Sequence, residues 1–122
     1  MKPEDKELLL KDLCARLPYG IKVSKVVENF ISNPHLIRSI NLNNVIIEDG
    51  EFEDGTPDID VWDIEDIKPY LFPLSSMTEE HLLNLSFDEG ISIYDWLNKN
   101  HFDYRGLIPK GLANDATGLN IY

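Results

Sequence analysis

Between Glu48 and Asp66 the chain reads EDGEFEDGTPDIDVWDIED, in which ten of nineteen residues are Asp or Glu and none is Lys or Arg. The carboxylates of such a stretch belong at the surface, because a carboxylate taken out of water needs an opposite charge and this stretch supplies none. Asp49-Gly50 and Asp54-Gly55 mark turns, which predicts a wide loop or ragged hairpin. Asp58, Asp60 and Asp63 then alternate with Ile59, Val61 and Ile64. That pattern predicts an edge strand with an acidic outer face, Trp62 departing from strict alternation. Asp54, Asp58, Asp60 and Asp63 are therefore expected to form an acidic surface.

This run dominates the charge of the whole chain. The net charge is −11, and residues 39–98 hold fifteen acidic side chains against Lys68 alone. Such a field repels phosphates, so direct binding of DNA or RNA is not expected. The opposite role stays open: the carboxylates of 48–66 can imitate phosphates and occupy the basic cleft of a DNA-binding protein. Calcium takes six to eight oxygen ligands, and oxygens are abundant here. The EF-hand spacing nevertheless fails, since Gly55 or Gly50 at its sixth position would put Gly50 or Val45 at its first. A solvated acidic loop is the expectation, with no metal and no cofactor.

At 122 residues, 43% of them apolar, the chain suits one domain with a real core. No apolar run approaches the ~20 residues that cross a bilayer, and no membrane contact is expected. The first thirteen residues, MKPEDKELLLKDL, have no uninterrupted apolar segment, which argues against a cleaved signal peptide. Cys14 is the single cysteine, so no intrachain disulfide forms, and a cytoplasmic setting is expected. The oligomeric state is left open.

In chain order, Pro3 and the acids after it open a helix over 3–17 that Pro18 closes, with Leu10, Leu13, Cys14 and Leu17 as its apolar face. Cys14 is expected to be buried as a small apolar residue. Alternation predicts strands over 21–27, 35–41, 45–48 and 58–63, with Lys22, Lys25 and Arg38 sharing a solvated face. Residues 67–77, IKPYLFPLSSM, hold two prolines that exclude a regular helix and four large apolar residues that exclude a free linker. The segment should cross the fold extended. Ser76 with Glu79, or Thr78 leading Glu79-Glu80, caps a helix over 78–85, and Ser92 with Asp95 caps another over 91–101. His81, in the first turn of the former, is expected to be solvated. The fold class is thus α+β: an N-terminal helix, an antiparallel meander of about four strands, two C-terminal helices and an ordered tail.

Few motifs carry chemistry. Arg105 to Gly111 (RGLIPKG) lacks phosphate-loop spacing, although its backbone N–H groups and cations suit a phosphate or carboxylate. His35, His81 and His101 lack zinc-site spacing. His101 and Asp103 have the types and proximity of an acid–base pair, with no Ser or Cys nucleophile signalled beside them. The tail after residue 101 is irregular by its glycines yet rich in apolar residues, so it either packs on its own domain or docks on a partner. Trp96 and Phe102 are assigned to the core. Tyr104, Arg105, Leu107 and Lys110 are assigned to a partner-binding surface, Tyr and Arg being frequent interface anchors.

Three stretches, Leu8–Val23 (LLLKDLCARLPYGIKV), Ile64–Glu80 (IEDIKPYLFPLSSMTEE) and Trp96–Ala113 (WLNKNHFDYRGLIPKGLA), cover about 50 of the 122 residues. Through them the chain resembles a group of short uncharacterised proteins of Bacteroides-type gut anaerobes and their prophages and mobile elements. The resemblance implies a phage or mobile-element setting, where small acidic proteins often act by binding another protein, and assigns no residue a role. The function expected is a non-enzymatic protein-binding module. A nucleic-acid mimic and a small enzyme using His101 and Asp103 are the alternatives.

Overall fold

The computed structural model describes residues 1–28, 30–87 and 92–122. Helix α1 spans Pro3–Arg16, with Pro3 at its first position and Glu4 and Asp5 in its first turn. A 3-10 turn over Leu17–Tyr19 ends it, and Gly20 at φ 80° leads into the sheet, where a Cβ would stand 3.4 Å from Leu36 Cδ1. The strands are β1 (Lys22–Val27), β2 (Phe30–Ile31), β3 (His35–Ile40), β4 (Asn44–Glu51), β5 (Pro57–Asp63), β6 (Ile67–Pro73), β7 (Phe102–Asp103) and β8 (Asn114–Asp115). Helices α2 (Glu79–Phe87) and α3 (Ile93–Lys99) lie between β6 and β7.

The sheet has more strands than the four expected. Its order is β5-β4-β3-β1-β6-β7, with β2 added to β1 and β8 to β6. The first five strands meet antiparallel, while β7 and β8 join β6 in parallel. The proline-bearing stretch crosses the middle of the fold as β6, extended as its composition requires. Proline fixes φ at a value that extended backbone tolerates. The two-residue partners β7 and β8 also leave little ladder for a missing N–H to interrupt.

The inner face of the sheet and α1 enclose the main core. Leu9 and Leu13 pack there with Ile21, Val23, Ile37, Val45, Ile47, Trp62, Ile64, Ile67 and Leu71. The tail closes the same core through Leu107, Leu112 and Ala113. A second cluster joins Trp96, Leu97 and Phe102, the two large rings stacked at 5.7 Å and 6°. The irregular tail thus packs on its own domain.

Three expectations need correction. The buried face of α1 is Leu9, Asp12, Leu13 and Arg16, while Cys14 is exposed. Lys22 and Lys25 stand three residues apart on β1, and a strand alternates sides at every residue; they lie on opposite faces, and only Lys22 shares the face of Leu36 and Arg38. On β5 the sides are reversed. Trp62 is buried, while Ile59 and Val61 are 48% and 55% exposed, so the outer face of the edge is aliphatic. Trp62 pairs with Val45 and shares the face of β4 that carries Val45 and Ile47 into the core, and that packing sets which side of the strand turns inward. Asp60 follows Trp62 onto the inner side, where its Oδ2 accepts from the indole Nε1 at 2.9 Å. The α3 helix begins after Ser92, whose hydroxyl accepts from Asp95 N, and Ile91, where the sequence pattern places its start, lies outside the described residues.

Candidate functional site

Three features carry unusual chemistry: a buried ionic network, a cavity beside His101 and an aliphatic outer sheet face. The network begins with Asp12 and Arg16, one turn apart on α1 and both fully buried. Arg16 grips both Asp12 oxygens, through Nε at 2.9 Å and Nη2 at 3.1 Å. Its guanidinium also donates to the carbonyls of Phe102 at 2.6 Å and Leu97 at 3.5 Å. Arg105 reaches Asp12 Oδ1 at 2.8 Å and lies over the Tyr104 ring at 4.4 Å, and the Tyr104 hydroxyl donates to Asn98 Oδ1 at 2.9 Å. A buried pair survives only when its remaining donors and lone pairs are met. Here they are met by residues more than eighty positions away in sequence, which ties α1 to α3 and β7.

Asp103 plays a similar part in the tail. Its two oxygens accept from the backbone N–H groups of Leu107 and Ile108, both at 2.9 Å. No hydrogen bond joins Asp103 to His101.

His101 sits at φ 65°, with its ring stacked on Tyr122 at 3.5 Å and 12°. The Tyr122 hydroxyl accepts from Lys22 N at 3.0 Å and donates to Tyr70 O at 2.8 Å, and its burial pushes that phenol well above its usual range. Next to the stack lies a cavity of about 520 Å³, lined by Phe72, His81, Lys99, His101, Phe102 and Tyr122 among others. His101 Nδ1 is buried without a hydrogen-bond partner. Burial, then the charges of Arg16 and Lys22, lower His101 from 6.5 to about 4. The folded protein therefore refuses a proton that the unfolded chain accepts near pH 6.5. This contribution to stability is complete above pH 6.5 and is lost as the pH falls toward 4, amounting to about 1–2 kcal/mol once solvent screening of the half-buried ring is allowed for. His101→Asn, which tolerates the positive φ, is expected to flatten the decline in urea midpoint between pH 6.5 and pH 5. An unchanged slope would show that His101 does not cause it.

The third feature is the outer face of β3, β4 and β5. Ile46 pairs with Val61 and Glu48 with Ile59, which sets these four side chains on the side of Leu36 and Arg38. Leu36, Ile59 and Val61 are about half exposed, and only one ion pair, Arg38 to Glu48 at 3.6 Å, crosses the face among the described residues. The hairpin end beyond it carries exposed Phe52 beside Glu51, Glu53 and Asp54. There Asp54 Oδ1 accepts from Thr56 N at 3.0 Å and Thr56 Oγ1 at 2.6 Å, bonds that hold its carboxyl below the usual range.

No protein-family model, curated protein or solved structure matches this chain. Of the residues assigned to a partner surface, Leu107 is fully buried and Tyr104 and Arg105 are half-buried in the network, leaving Lys110 exposed. Asp54, Asp60 and Asp63 are exposed, Asp60 while holding the Trp62 indole and Asp63 while capping the turn that follows β5 at Glu65 N, and Asp58 is half-buried. The aliphatic face went unassigned in the sequence, although Ile59 and Val61 are visible there as alternating residues. No helix among the described residues is long and apolar enough to cross a membrane.

Proposed function

We propose that this protein is a non-enzymatic protein-binding module acting in a phage or mobile-element setting. It meets a basic partner through the outer face of β3–β5. The observation that carries this reading is the exposure of Leu36, Ile59 and Val61 on one sheet face ending in an edge strand. Apolar area left in water at a sheet edge favours burial against another chain. The surrounding acids select the partner. Glu48, Glu51, Glu53 and Asp54 flank that face or its hairpin end, so a second copy of the edge would be repelled and a Lys- or Arg-rich surface attracted.

The nucleic-acid mimic shares the basic partner but needs only the carboxylates, which separates the two readings. Tagged wild-type protein, the Ile59→Ser/Val61→Ser double variant, and a variant with Glu51, Glu53 and Asp54 amidated would be compared in host lysate. A single partner captured by wild type and lost by the serine pair supports the aliphatic face. A partner indifferent to the serine pair and lost on amidation makes the protein a mimic. Capture by all three, or by none, overturns both readings. Both sets of changes sit on exposed positions and should leave the unfolding midpoint within about 0.5 kcal/mol of wild type.

A further inference from the structure

We propose that the cavity beside His101 is a binding site for a small organic anion with a flat apolar body, of the aromatic carboxylate class. The first ground is what the cavity omits. The chain carries twice as many acidic as basic residues, yet none of the described residues lining this cavity is Asp or Glu. Its charged member is Lys99, whose ammonium has no carboxylate partner among the described residues. A cation with no carboxylate side chain among the described lining residues favours an anion over a neutral or cationic ligand of the same shape.

The second ground is the supply of hydrogen-bond donors. Thr78 N donates to His81 Nδ1 at 3.0 Å, so the neutral His81 ring carries its proton on Nε2. His101 Nδ1 is sealed without a partner, and an unmet acceptor costs less there than an unmet donor would. The His101 proton thus also belongs on Nε2. Both rings line the cavity and offer N–H groups rather than acceptors. Arg16 and Lys22 add positive potential at the same place, since their charges contribute to the lowered pKa of His101.

The third ground is shape. Phe72, Phe102 and Tyr122 provide aromatic walls, and at about 520 Å³ the space is of ligand size. A bare inorganic anion would leave those walls unused, whereas an aryl carboxylate places its ring against them and its charge toward Lys99.

The test uses four probes on the full chain: benzoate, benzamide, benzylammonium and inorganic phosphate, each titrated against the backbone amide spectrum. Benzoate is expected to give saturable shifts centred on residues 99–102 and 117–118, with a dissociation constant on the order of 1 mM for so small a ligand. Benzamide and benzylammonium should bind at least about tenfold more weakly. Lys99→Gln, an exposed change, should weaken benzoate by about fivefold or more without altering the unfolding midpoint. The proposal fails if benzamide matches benzoate or if the shifts map elsewhere. It also fails if Lys99→Gln leaves benzoate affinity unchanged. Phosphate binding as tightly as benzoate would reduce the site to a simple anion site and overturn the aryl assignment. So would the absence of saturation for benzoate into the tens-of-millimolar range.

Discussion

Arg16→Met is expected to lower the stability of the fold by about 3–5 kcal/mol, seen as a large fall in the urea unfolding midpoint. Methionine fills much of the same space, so the loss does not come from a cavity. It comes from Asp12, which stays fully buried and loses two of its three hydrogen-bond donors, with Arg105 Nη1 at 2.8 Å remaining. The Phe102 carbonyl loses its 2.6 Å partner at the same time. A domain of this size is stable by only about 5–15 kcal/mol, so the variant should be close to unfolding at body temperature. Arg105→Gln probes the rim of the same network, where the side chain is 15% exposed. Asp12 keeps both of its Arg16 donors in this variant, and the cost should be nearer 1 kcal/mol. The ordering is the test. Equal losses from the two substitutions, or a loss from Arg16→Met below about 1 kcal/mol, would mean that the buried charges do not fasten α1 to α3.

The same pair shows why some of the fold was legible in the sequence and some was not. Pro3 and Pro18 bracket α1 correctly because proline acts locally. Its buried face is another matter. Nothing near residues 12 and 16 reveals that carbonyls at 97 and 102 will satisfy Arg16, so apolar periodicity favoured Leu10, Cys14 and Leu17 over Asp12 and Arg16. Strands β3, β4 and β5 were legible because each is long enough to alternate and is bounded by a turn. The two-residue β2, β7 and β8 are too short to carry a period of two. They exist because β1 and β6 offer them backbone partners. The sidedness of β5 was lost for a third reason: charge suggests an outer face only when no larger apolar group competes, and Trp62 competes. At the His101 cavity the sequence held the histidines but not the company they keep, since Phe72, Lys99 and Tyr122 converge on it from separate elements.

Leu107→Ala is the sharper test of what the C-terminal segment is for. Leu107 is fully buried, packed in the main core with residues of α1, the sheet and the tail itself. Its N–H donates to Asp103 Oδ1 at 2.9 Å and its carbonyl accepts from Leu112 N at 2.9 Å, so the backbone cannot slide to fill a gap. Truncation removes three carbons and leaves a hole that a pinned loop closes poorly, which predicts a loss of about 2–5 kcal/mol. Lys110→Ala, three residues on at an exposed position, should stay within about 0.5 kcal/mol of wild type. A detachable docking tail predicts the reverse pattern. Leu107→Ala would then leave the unfolding midpoint alone and weaken partner capture at temperatures where the protein is fully folded. Capture measured well below the variant's own unfolding transition separates the two outcomes. Retained capture with a lowered midpoint assigns Leu107 to packing and leaves the outer face of β3–β5 as the surface that meets a partner.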